Sequence, residues 1–153
     1  SGLDHLEGQT VSVVTDGAVT VESTVSGGSI TLQSPASKIH VGFKYVGLAK
    51  SMNLETQAMG GSAQTKVKNV CKAAIRFLNS VGASIGTDLY NMKKMTFRYT
   101  GQILDRPIPL FTGIKVESYQ DRWEREKHVY VIQDTPLPCI IQGIDIYSES
   151  EDE

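Results

Sequence analysis

The chain has 153 residues, 40% hydrophobic and 21% charged, with a formal net charge of −2. That length allows one domain or two small ones with a real hydrophobic core. Glu149, Glu151, Asp152 and Glu153 crowd the last five positions, and without them the remainder holds 15 basic and 13 acidic side chains, a balance of +2. A near-neutral body gives no electrostatic basis for nucleic acid as a free-standing ligand. No apolar run approaches the roughly 18 residues of a membrane-spanning helix, and no charged-then-apolar stretch leads to an expectation of secretion. Ser1-Gly2 reads as a cleavage scar, which points to a fragment or processed product.

In chain order, Leu3 to Val19 writes two short strands around Asp16-Gly17, with Val11, Val13, Ala18 and Val19 on the apolar side. Asp-Gly supplies the positive backbone angles of a two-residue hairpin turn. Gly27-Gly28 repeats the punctuation between Val21–Val25 and Ser29–Leu32. Lys38 to Val46 then alternates Ile39, Val41, Phe43 and Tyr45 against Lys38, His40, Gly42 and Lys44, which predicts a strand with the first set buried and the second wet. Residues 3–47 are thereby expected as a small β-barrel-like domain.

A second antiparallel β domain is expected over 48–147. Ala49–Glu55 reads as a strand and Thr56–Thr65, with Gly60-Gly61-Ser62, as a flexible loop. Lys66–Asn79 admits two readings. At helical spacing Val67, Val70, Cys71, Ala74 and Leu78 share a stripe, whereas at strand spacing Cys71, Ala73, Ile75 and Phe77 alternate with Lys72, Ala74 and Arg76. Strand is preferred because the flanks are Gly-rich and the surroundings alternate by twos, with helix left open. Ser80–Gly86 reads as a turn-rich connector, Lys94–Tyr99 as a strand, and Asp105–Pro109 as a kinked passage whose prolines bar a central strand. Thr112–Tyr119, Lys127–Gln133 and Cys139–Tyr147 complete about ten strands and at most one helix. The acidic residues 148–153 are expected to be disordered.

Catalysis needs a nucleophile, a base and an orienting group within hydrogen-bond reach. His5, His40 and His128 read as surface or satisfied polar side chains, and no nucleophile elbow, phosphate-cradling loop or metal-spaced Cys/His set occurs. Gly82-Ala-Ser-Ile-Gly86 reads as a turn, and Asp4, His5 and Glu7 as the polar cap of a domain end. Cys71 and Cys139 lie in apolar runs and are expected as two buried thiols, not a disulfide. No cofactor and no metal is expected. The one cluster that suggests contact is Arg122, Trp123 and Arg125 in the charged connection Gln120–Glu126, since aromatic and Arg side chains are enriched at interface cores. The alternative is a loop that folds its lone Trp back on the sheet.

The opening run Leu3–Val19, then Val25-Ser-Gly-Gly-Ser-Ile-Thr-Leu32 and Ile39-His-Val-Gly-Phe-Lys-Tyr45, resembles a run in nozzle or stabilisation subunits of short-tailed bacteriophages. The later Phe77–Gly86, Pro107–Gly113 and Gln133-Asp-Thr-Pro-Leu-Pro138 elements are similar as well, so the likeness spans Leu3 to about Tyr147. In that family the first domain is likened in fold to a small β-domain of ubiquitin-activating enzymes. The resemblance implies an all-β, non-enzymatic virion protein that normally follows a longer N-terminal region. Its partners would be further copies in a ring homo-oligomer and other tail or portal-adaptor proteins, and DNA would pass without specific binding. A carbohydrate-binding or host-attachment module is the alternative, with Tyr119, Trp123 and Tyr130 as candidate aromatics.

Overall fold

The computed structural model describes residues 1–55, 57–58, 61–62, 66–104 and 106–151. Among these residues a 3-10 turn at Asp4–Leu6 is followed by thirteen strands: β1 (Thr10–Thr15), β2 (Ala18–Val19), β3 (Ser23–Thr24), β4 (Ile39–Gly42), β5 (Gly47–Lys50), β6 (Gln57–Ala58), β7 (Gly61–Ser62), β8 (Val67–Ser80), β9 (Ala83–Gly86), β10 (Lys93–Lys94), β11 (Phe111–Ser118), β12 (Tyr130–Gln133) and β13 (Ile141–Glu151). Every ladder is antiparallel, and the fold is an all-β, sandwich-like one.

β1 is the spine of the first sheet and pairs with β2, β3 and β4. The Asp-Gly turn is formed as its chemistry requires, with Asp16 at φ 49° and Gly17 at φ 87° joining β1 to β2. The Asp16 carboxylate also accepts the N–H groups of Ser37 at 3.0 Å and Lys38 at 2.8 Å, which pins the hairpin to the entry of β4. The sheet stays open and is not a closed barrel. The expected strands Val21–Val25 and Ser29–Leu32 contribute only β3 and one bridge, Ser26 to Ser29, so the ladder is too short to close.

Leu6, Val11, Val13 and Val25 form a small core against this sheet, with Leu3, Ile30, Leu32 and Val41 packed around it. That core is too small to cover the apolar alternation of Lys38–Val46. Val41 is half-buried over it, but Ile39, Phe43 and Tyr45, expected inside, are 45%, 60% and 68% exposed. Only Ile39–Gly42 joins the ladder, and the residues beyond it run past the end of the core.

In the remainder, β12 lies between β9 and β5 with β10 outside β9, and β8 lies between β11 and β13. The helix-or-strand question over Val67–Leu78 resolves as strand. β8 hydrogen-bonds along one edge to β11 and along the other to β13, where the register shifts between Tyr147 and Ser148. Opposite that shift, at Cys71, the side-chain parity reverses: Val70 points into the core on one side of it, and Ala73, Ile75 and Phe77 on the other. A bulge of this kind inserts one residue into a period of two and leaves a sequence spacing that imitates a helical stripe.

The larger core gathers Val70, Ile75, Phe77, Ile85, Met95, Phe97, Val129 and Val131. Phe77 meets Phe97 edge-on with ring centroids 5.4 Å apart, and Phe97 meets Phe111 at 6.1 Å, a geometry favoured by the ring quadrupoles. The two cores do not mix, one drawing on residues up to Val41 and the other on residues from Leu54 onwards.

Four local expectations are revised. Ala83–Gly86, assigned to a connector, is β9, entered by Gly82 at φ 85° and carrying fully buried Ala83 and Ile85. Lys94–Tyr99 stays in a ladder only at Lys93–Lys94, although Met95 and Phe97 still alternate inward. Cys71 and Cys139 are free thiols but half-buried, and burial pushes both up from the ordinary thiol range, with the Glu149 carboxylate adding to the effect on Cys71. The acidic terminus is not loose over Ser148–Glu151, because β13 continues through it on the backbone groups of Val67–Val70. Asp152 and Glu153 lie outside the described residues, as do Asp105 and, within the expected loop Thr56–Thr65, all but the β6–β7 hairpin.

Candidate contact surfaces

The charged connection Gln120–Glu126 is held from beneath by two lysines. Lys68, 1% exposed, exchanges backbone hydrogen bonds with Glu124 at 2.8 and 3.0 Å and donates its ammonium to the Arg125 carbonyl at 3.1 Å. Lys127, 3% exposed, places Nζ 3.0 Å from Asp121 Oδ2 and 3.0 Å from Glu124 Oε2. Burying an ammonium is tolerable only with such paired and hydrogen-bonded partners. Asn53 Oδ1 accepts the Lys127 N–H at 3.0 Å, so the segment after β5 is tied into the same knot.

This scaffold turns Arg122, Trp123 and Arg125 outward together, all three exposed and Trp123 41% so. Trp123 belongs to neither of the two hydrophobic cores. The neighbouring aromatics do not extend it into a platform. The Tyr119 hydroxyl is buried with no hydrogen-bond partner among the described residues, and burial drives its ionisation far up. Tyr130 is half-buried, with Lys50 Nζ 5.5 Å from its ring centroid and His128 against it at 6.3 Å.

The polar residues near the N-terminus serve the fold. Glu7 accepts the N–H of Gly28 at 2.8 Å and of Gly27 at 2.9 Å, and these bonds hold its carboxyl below the ordinary range. His5 and His40 are exposed, and His128 Nδ1 lies 3.0 Å from the Ser51 carbonyl. Among the described residues no group of three or more His, Cys, Asp or Glu side chains converges as metal ligands. No helix among them is long and apolar enough to cross a membrane.

Two surfaces escape a reading of motifs. The first is the run from Lys38 to Met52, where Phe43, Tyr45, Val46, Leu48 and Met52 are 60%, 68%, 58%, 54% and 86% exposed. It carries Lys38, Lys44 and Lys50 and no acidic residue. β4 pairs only with β1 and β5 only with β12, so each keeps a free edge among the described residues. A shallow groove between His40, Val41, Phe43 and Pro136 marks where this run meets the larger half.

The second is the outer face of the β11-β8-β13 sheet. Ile114 and Val116 on β11 are 51% and 57% exposed, and on β13 the side chains of Asp145, Tyr147, Glu149 and Glu151 alternate outward. β13 pairs with β8 alone among the described residues, leaving an edge eleven residues long. Opposite it, β11 is steadied by Lys115, whose Nζ donates to the Thr96 carbonyl at 2.6 Å and sits 4.8 Å from the Phe111 ring centroid, 5.1 Å from Tyr99 and 5.2 Å from Phe97. Alternation predicts which strands have a wet face. Which apolar side chains stay uncovered depends on core size, and no local pattern encodes that.

Compared with known proteins, the sequence matches no family model and no curated protein.

Proposed function

We propose that this chain is a non-enzymatic assembly subunit, and that the assembly is a ring around the DNA exit channel of a short bacteriophage tail. The observation that supports assembly is that, among the described residues, antiparallel sheets keep unpaired edges and uncovered apolar side chains, above all along the Lys38–Met52 run and β13. An isolated sheet edge is a ready template for another chain, and monomeric proteins ordinarily blunt it. Large exposed apolar side chains gathered in one run likewise mark a contact surface. The virion setting follows from the resemblance of the Leu3–Val19 and Gln133–Pro138 elements, and the near-neutral body suits a conduit that DNA must leave freely.

Trp123, flanked by Arg122 and Arg125, would then serve as an anchor toward a neighbouring subunit or another tail protein. A carbohydrate site is less favoured because Tyr119 and Tyr130 do not join Trp123 in an open aromatic platform. Quantitative mass spectrometry of density-purified phage particles tests the virion reading. The protein is expected at a fixed number of copies per particle, and its absence from intact particles would refute the reading.

A further inference from the structure

Two strand edges that stay unpaired among the described residues carry opposite charge, although Lys72 and Arg76 stand exposed on β8 inboard of the second. Lys38, Lys44 and Lys50 punctuate an apolar run with no acid between them, while β13 offers Asp145, Glu149 and Glu151 with no base. We propose that the occupant of each is the other surface on a second copy of this chain, with the outer edge of β13 docking along the β4–β5 run of its neighbour. This deepens the ring reading and rests on it. Among the described residues the backbone has what such a contact needs: an extended strand with an unpaired outer edge on one copy, and unpaired edges at β4 and β5 on the other. Tyr147, 57% exposed at the middle of the acidic stripe, supplies an apolar body to set among Phe43, Tyr45 and Leu48.

The two patches differ, so the contact is head-to-tail. It must close into a ring or run on as a filament, and it cannot stop at a symmetric pair. Like-on-like docking is disfavoured for each patch, because β13 against β13 would bring acid to acid and the lysine run against itself would bring cation to cation. Lys44 already lies 3.1 Å from Glu22, an exposed pair that solvent keeps weak and that a neighbour's carboxylate can replace.

The test is a charge swap read by sedimentation velocity and mass photometry on the full chain. K44E/K50E and E149K/E151K are each expected to weaken self-association by about tenfold or more, since like charges then face each other. An equimolar mixture of the two variants is expected to restore assembly, because every junction in an alternating array is again complementary. K44Q/K50Q, which removes charge without reversing it, gives an intermediate loss, and far-UV circular dichroism checks that each variant remains folded. If the wild type forms rings that both variants also form unchanged, this interface is wrong while the ring reading stands. If the wild type stays monomeric at every concentration and salt, both fall. Failure of the mixture to recover assembly, with both variants folded, would also overturn the pairing.

Discussion

Lys127 makes the sharpest demand on this structure. Its side chain is 4% exposed and its Asp121 partner 10%, whereas Glu124, at the same 3.0 Å, is 56% exposed. Replacing Lys127 by Met keeps the aliphatic bulk but leaves the Asp121 carboxylate buried without its counter-ion, which costs about 3 kcal/mol or more. Glu124→Gln removes a largely solvated partner and should cost about 0.5 kcal/mol. The double variant K127M/D121N removes both buried charges and should recover much of the loss, because the cost comes from an orphaned charge and not from an absent bridge. Trp123 is the single tryptophan of the chain and stands on the connection this pair anchors. Urea unfolding followed by Trp fluorescence and by circular dichroism therefore separates loosening of the connection from global unfolding. Equal, small losses in K127M and E124Q, with no recovery in the double variant, would refute the reasoning.

Three further outcomes follow from the same physics. Tyr119→Phe removes a buried hydroxyl that has no partner among the described residues, so stability in urea should be unchanged or raised by about 1 kcal/mol, and a loss of that size would show the hydroxyl is satisfied. Phe77→Ala empties the centre of the larger core and should cost about 3–5 kcal/mol, against a much smaller loss for Phe77→Leu, with similar values for the two contradicting its fully buried, edge-on packing. Glu7 and Asp16 accept backbone N–H groups from Gly28 and Gly27 and from Ser37 and Lys38, which hold both carboxyls below their ordinary values. Stability from these turns is then complete above the unfolded values near about pH 4 and is lost as pH falls through the folded ones. Protection of the Gly28 and Lys38 amides, taken relative to their intrinsic exchange rates, should fall as pH drops across that acid range, more than in E7Q or D16N, and unchanged protection would count against the bonds.

The parts of the fold that residue chemistry dictates locally were legible. Asp16-Gly17 specified its turn, and the alternation in Thr112–Tyr119 its strand. Where the outcome depended on distant partners, local pattern misled. The parity reversal at Cys71 lent β8 a helical spacing that only its two flanking ladders overrule. Ile39, Phe43 and Tyr45 alternated as if buried, yet a core of Leu6, Val11, Val13 and Val25 reaches only Val41. Composition suggested a loose acidic end, but β8 is long enough to carry Ser148–Glu151 in its ladder. Arg122, Trp123 and Arg125 were identifiable as residue types, while the Lys68 and Lys127 anchors that display them lie far apart in sequence and announced nothing. The lysine run and the acidic edge were visible as charges; that both stay uncovered is a property of the folded chain.

Electron microscopy of the purified protein at high concentration and low salt tests the assembly claim most directly. Closed rings of one rotational symmetry, with an open centre, are the expected particles. A uniform field of single subunits, unchanged by concentration, would contradict the account.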